Sequence, residues 1–241
     1  MAIFIFRAAK CTPWFAVLAA TCLVGCQVAG PIPASIPNDA PKLMVGDHWQ
    51  YRITDNLRRG AVTMLDSEVV SVADGIASLR LVYDGPYGRS EESAQINANG
   101  WLVVGALKQD FPRQFPTPIQ LYDFPLQEGK TWRQTVNTTS PDTQLPAQIL
   151  AYGRVLGLLP VTVPAGTFDA IYIYRIIQLD DAQFFRTRTE RRDSVWFDAK
   201  AKGPVRELRD VSFIELSGNE SDSIRSENTT RELISFRPGP K

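Results

Sequence analysis

A short pattern occurs twice in this chain and limits what it can fold into. Leu43-x-x-Gly46-x-x-Trp49 returns as Leu126-x-x-Gly129-x-x-Trp132. Each copy follows a proline, Pro41 or Pro125, and opens a run of alternating apolar and polar residues. Glycine there supplies a tight entry, and tryptophan buries a large apolar area at the first strand. Further on, Val72-Ala73-Asp74-Gly75 corresponds to Val163-Pro164-Ala165-Gly166, each between two candidate strands. Asn99-Gly100-Trp101 and Asp193-Ser194-Val195-Trp196 make a third, looser pair at late positions. Two β-meanders of similar plan account for these matches, the first over 42–110 and the second over 126–241.

From Asp47 the pattern has period two. Trp49, Tyr51 and Ile53 share one face, with Gln50, Arg52 and Thr54 on the other, the alternation of a half-buried strand. Further strands are expected at 61–72, 76–83, 90–96, 101–106, 131–137, 144–156, 168–179, 184–197, 205–216 and 231–236. Turn residues such as Asp74-Gly75, Asp84-Gly85-Pro86 and Asp180-Asp181 separate several of them. No window carries a helical stripe with caps. The expected fold is all-β, a curved antiparallel sheet or half-open barrel with little helix, forming one domain over 42–241. Pro112, Pro116 and Pro118 exclude a central strand from 111–125. The aromatics there, Phe111, Phe115, Tyr122 and Phe124, need burial, so an ordered crossover between the meanders is expected. The polar stretch 220–230 is expected to be mobile.

Residues 1–25 have the form of a secretory signal, with Arg7 and Lys10 before an uncharged run from Thr12 to Val24. That run is too short to span a bilayer, which takes about 20 apolar residues. The four residues Leu23-Val24-Gly25-Cys26 match the lipobox of bacterial lipoproteins: an aliphatic pair and a small residue before a cysteine. The resemblance implies that Cys26 is alkylated with diacylglycerol and becomes the first residue after cleavage, its amino group acylated with a fatty acid such as palmitate. Buried methylenes contribute about 0.8 kcal/mol each, so two or three chains hold durably. In this family an Asp after the cysteine favours the inner membrane. Gln27 therefore implies an outer-membrane anchor, with the domain facing the periplasm. Residues 26–41 carry Pro31, Pro33, Pro37 and Pro41, and are expected to form a semi-rigid spacer that stands the domain off the bilayer.

Of three cysteines, Cys11 and Cys22 leave with the signal and Cys26 is consumed by lipid. No disulfide, thiol nucleophile or thiolate metal site is then expected. Losing Arg7 and Lys10 from 26 basic residues leaves 24 against 26 acidic ones. Such a balance argues against a nucleic-acid partner, which needs a basic footprint.

Candidate chemistry is sparse. His48 is the single histidine. Beside Asp47 it could act as a general base, but no nucleophile motif accompanies it, and a polar residue at a strand start is the simpler account. Asp180-Asp181 lacks calcium-loop spacing. Arg186, Arg188, Arg191 and Arg192 could grip an anionic head group. The interleaved Glu190 and Asp193 favour a solvated sheet face with cross-strand ion pairs. Ile171, Ile173, Ile176, Ile177 and Leu179, with Tyr172 and Tyr174, make a strand apolar on both faces, so something covers each side.

The Gly-x-x-Trp openings, the turn Val163-Pro164-Ala165-Gly166-Thr167-Phe168 and the Trp196-Phe197 strand closing on Gly203 resemble uncharacterised envelope proteins. Their folds are similar to the open β-barrels of the lipoprotein-localisation-factor superfamily. The resemblance implies a curved sheet around an apolar cavity and carries over no catalytic residue, metal or cofactor. Ile171, Ile173 and either Tyr172 or Tyr174, depending on parity, are the candidate lining, with the segment around Phe115 and Tyr122 as a lid. The expected role is non-catalytic: binding an apolar ligand or docking an envelope partner. A hydrolase with an unrecognised site and a structural spacer are the alternatives.

Overall fold

The computed structural model describes residues 28–108, 112–140, 144–183, 185–217 and 220–240. The signal segment, the lipobox with Cys26, Phe111 and Phe184 lie outside the described residues. Period two governs the rest. In order, the strands are β1 (His48–Asp55), β2 (Ala61–Ala73), β3 (Ile76–Gly85), β4 (Gly88–Asn97), β5 (Leu102–Gly105) and β6 (Arg113–Ile119). The second set is β7 (Thr131–Thr139), β8 (Pro146–Val163), β9 (Gly166–Leu179), β10 (Thr189–Asp198), β11 (Gly203–Ser217) and β12 (Glu220–Arg237). No helix occurs among the described residues. All pairings are antiparallel, in one 12-stranded sheet of order β6-β5-β4-β3-β2-β1-β12-β11-β10-β9-β8-β7. The sheet curls into a nearly closed barrel of two six-stranded meanders, joined where β1 pairs with β12.

The duplicated motif has one physical meaning in both copies. Gly46 N donates to Val69 O (2.8 Å) and Val69 N to Asp47 O (2.9 Å). In the second copy Gly129 N donates to Val155 O (2.9 Å) and Val155 N to Lys130 O (2.9 Å). Both glycines are left-handed, with φ of 85° and 78°, a conformation that a side chain disfavours. The tight 74–75 and 164–165 turns likewise join the second and third strands of their meanders. The third pairing fails. Trp101 lies in the loop between β4 and β5, whereas Trp196 lies inside β10, so the two are not equivalents.

The sheet edges β6 and β7 meet at a seam closed by side chains. Gln134 on β7 accepts from Gln120 N (2.9 Å) and donates to Pro118 O (3.0 Å), while Trp132 Nε1 donates to Gln120 O (3.2 Å). Pro116 and Pro118 lack the N–H that a ladder needs, so β6 can only be an edge. This corrects the expected crossover: the first meander runs on through β6, and the connection shrinks to 120–130.

Two further expectations are overturned. The stretch 220–230, expected as a mobile segment, is a regular strand and forms most of β12. Its polar residues have partners, Asn228 donating to Asp210 (2.7 Å) and Arg225 pairing with the same Asp210 (2.7 Å). Nor does the proline-rich segment stand free. Gly30 exchanges two backbone hydrogen bonds with Leu158 (2.8 and 2.7 Å), Leu126 N donates to Asn38 O (2.7 Å), and Ile32 and Ile36 pack on the core.

One end of the barrel, the base, carries the starts of β1 and β7, the 74–75 and 164–165 turns, and the loop 199–202. The outer half of the β8–β9 hairpin leaves the wall at a bulge between Val155 and Gly157. It then folds across the base, where Ala165 N donates to Leu233 O of β12 (3.0 Å). Val161, Val163 and Ala170 pack there with Trp49, Val205 and Leu233. The opposite end, the top, carries the loops 56–60, 86–87 and 180–188.

Candidate functional site

A cavity of about 1000 Å³ lies inside the barrel, mostly against the first meander. Its two walls differ in chemistry because inward positions differ between the meanders. From β2, β3 and β4 come Leu65, Leu79, Leu81, Ala94 and Ile96. From β9 to β12 come Arg175, Arg191, Glu207, Arg209, Glu227 and Arg231. Two of these charges replace apolar residues in an inward period-two run: Arg175 follows Ile171 and Ile173, and Glu207 follows Val205.

The charged wall is a bonded belt. Arg191 grips Asp193 with two hydrogen bonds (2.8 and 2.7 Å) and donates to Leu107 O (2.9 Å). Arg175 donates to Asp193 (2.8 Å) and Glu207 (3.3 Å), and Glu207 also accepts from Arg209 and Arg231 (both 2.8 Å). Asp193 is wholly buried, and Arg175, Arg191, Glu207 and Glu227 nearly so. Burial alone would raise the Glu207 carboxyl, but Arg231, Arg209, Arg175 and Arg191 hold it well below the usual range. Asp193 is likewise desolvated, and Arg191 and Arg175 pull it down. Burial pushes the hydroxyls of Tyr51 and Tyr122 up; Arg231 lies over the first ring and Arg175 over the second, at 5.0 and 5.2 Å.

Four arginines meet three carboxylates in this belt. Lys42, Lys108, Lys202 and Glu92 line the cavity as well, so its lining is richer in positive than in negative groups. Within the belt, the Nε atoms of Arg175, Arg209 and Arg231 and Glu227 Oε2 are buried without a hydrogen bond.

The residues singled out from sequence fall in several places. Ile171 and Ile173 point inward but pack with Trp132, Val155, Val195 and Phe197, and neither lines the cavity. Tyr172 and Tyr174 have the opposite parity, on the outer face, where the Tyr172 ring lies 4.8 Å from that of Trp196. Phe115 is buried with Leu107, Ile119 and Val136, away from the cavity. Tyr122 does line it, beside Leu121 and Phe124. The arginine run divides. Arg192 pairs outside with Glu190 (2.6 Å), as a solvated face requires, whereas Arg191 and Asp193 turn into the barrel. Arg186 joins Lys108 and Thr189 on Asp181, bracing the loop 180–188.

His48 meets Asp66 (3.4 Å) rather than Asp47. Asp47 is fully buried and accepts from Lys202 (2.7 and 2.8 Å), Met44 N (2.8 Å) and Gly239 N (2.8 Å), tying the loop 199–202 and the segment after β12 to the start of β1. No cluster of three metal-ligating side chains occurs among the described residues.

No protein-family model matches this chain, and neither does any curated protein. Three solved structures are similar in course. A candidate lipoprotein from Parabacteroides distasonis aligns over 83% of this chain and 99% of its own, at 13% identity and a TM-score of 0.47. A candidate exported protein with a YmcC-like fold from Bacteroides fragilis covers the same shares at 9% identity and 0.41. The hypothetical lipoprotein YmcC from Escherichia coli aligns over 82% of this chain and 87% of its own, at 9% identity and 0.38. Likeness of this size transfers no function.

Proposed function

We propose that this protein is a lipid-anchored envelope protein that holds an elongated amphiphile in its barrel without catalysing a reaction on it. The observation that carries the reading is the two-walled cavity of about 1000 Å³, apolar on one side and charged on the other. An acyl-type chain against Leu79, Leu81 and Ile96 gains about 25 cal/mol per Å² buried. A polar group on the ligand would lie toward the charged wall of Arg175, Arg209 and Arg231, which fixes the ligand's direction.

Native mass spectrometry of a chain beginning at Gln27, purified from a bacterial periplasm, is expected to show a bound lipid-sized mass. The same protein should take up a fluorescent fatty acid saturably. Ala94 is buried on the cavity wall, so Ala94→Trp should fill the space and cut uptake at least tenfold. A clean apo mass with no saturable uptake would leave partner docking as the better account.

The anchor rests on the lipobox at Cys26, and the outer-membrane location on Gln27. Cys26→Ala is expected to yield a folded protein that incorporates no labelled palmitate and leaves the membrane fraction. Label entering the variant would overturn the anchor.

A further inference from the structure

We propose that the barrel stands base-down on the phospholipid bilayer, held there by the docked N-terminal segment; the inference rests on lipidation of Cys26. The bridge between Gly30 and Leu158 fixes where that segment leaves the barrel. Leu158 pairs with Ile171, and Ile171 with Phe197, one residue from the base end of β10. The exit therefore lies at the level of the base. Gly157 makes this docking possible: its φ of +128° suits glycine, and a Cβ there would collide with the Gly30 carbonyl.

Chain geometry then sets the scale. Cys26 precedes Gly30 by four residues, and an extended chain spans at most about 3.6 Å per residue, so the anchor reaches roughly 14 Å from the bridge. β2, with 13 residues, runs from top to base over about 40 Å at roughly 3.3 Å per residue. The top is thus well beyond the anchor's reach, and a spacer that would let the barrel tumble is absent from 28–41, because that segment is bound to the barrel.

Exposed apolar side chains do not decide the orientation, since both ends carry some: Val45 and Val72 at the base, Leu57 and Tyr87 at the top. The tether decides it. One consequence concerns the cavity, whose lining at the base end includes Pro41, Leu43, Gly75 and Gly100. Base-down, that end of the lining is the one nearest the lipid surface, and the bilayer is the source from which an amphiphile would come.

The mature lipidated protein has no free thiol, so single cysteines can be placed cleanly. Val45→Cys and Val72→Cys report the base, and Leu57→Cys and Tyr87→Cys the top; all four positions are exposed, so folding should survive. Each variant is labelled with bimane and reconstituted into phosphatidylethanolamine–phosphatidylglycerol vesicles containing headgroup spin-labelled lipid. Quenching at the two base positions is expected to exceed that at the two top positions several-fold. Equal quenching, or stronger quenching at the top, with the protein still floating with the vesicles, would overturn the orientation and leave the anchor intact. Failure to float would overturn the anchor and the orientation together.

Discussion

Glu207→Leu is expected to cost about 3–5 kcal/mol, because it removes one partner from a buried ionic network and strands the other charges. Glu207 is 4% exposed and accepts from Arg175, Arg209 and Arg231. Arg231 pairs with Glu207 and with no second carboxylate among the described residues. The loss is a large part of the 5–15 kcal/mol that domains typically have. At roughly 2–4 °C per kcal/mol for a chain of this size, melting should fall by about 10 °C. The contrast is Arg52→Ala, which breaks an exposed pair with Glu232 and should cost about 0–1 kcal/mol. Equal melting of both variants would show that the belt is not dry. The same network predicts a pH dependence with a definite sign. The folded Glu207 and Asp193 carboxyls lie below their ordinary values of 4.5 and 3.8. Below those values the unfolded chain binds more protons, so stability falls as pH falls. The melting gap between wild type and Glu207→Gln should be full above about pH 5 and should close progressively in more acid solution.

How much of this was legible follows from what period two can and cannot say. Strand positions were readable because apolar alternation is a local signal, and the meander order followed from short turns. The Gly-x-x-Trp repeat was readable because both copies need the same left-handed glycine and the same pair of backbone bonds. The charged wall was not. Arg191 and Asp193 sit in phase with Val195 and Phe197, and Arg175 with Ile171 and Ile173. A charge on the apolar face of a strand was the available clue. It is ambiguous until the partners on β11 and β12 are known, because an isolated inward charge is prohibitive whereas a bonded belt is not. The interleaved acids of 186–193 favour a solvated face with cross-strand ion pairs, which holds for Arg192 and fails for Arg191. The same non-local logic hid β12: its polar residues look mobile in sequence, yet the network supplies their partners. The docked segment 28–41 was hidden because its bonds reach Leu158 and Leu126, more than 80 residues away.

Trp49 and Trp132 test whether the duplication is physical. Each is nearly buried, 4% and 6% exposed, and each donates its indole N–H to a backbone carbonyl, Ala201 or Gln120. Truncation to alanine should cost about 3–5 kcal/mol at either site. The two losses differ in kind. Trp49 already borders the cavity, so its removal enlarges an existing space. Trp132 also closes the seam between β6 and β7, and its loss should loosen that seam and raise amide exchange at Gln120. Its ring lies on Gly153, its cross-strand partner, and a Cβ there would overlap the indole. Gly153→Ala alone should therefore cost about 1–3 kcal/mol by overpacking. In a Trp132→Ala background the same change meets no ring, and the double variant should recover a coupling of roughly 0.5–3 kcal/mol. Additive costs, or a Trp132→Ala protein that melts like wild type, would mean the indole does not sit against Gly153, and the shared strand opening would lose its energetic basis.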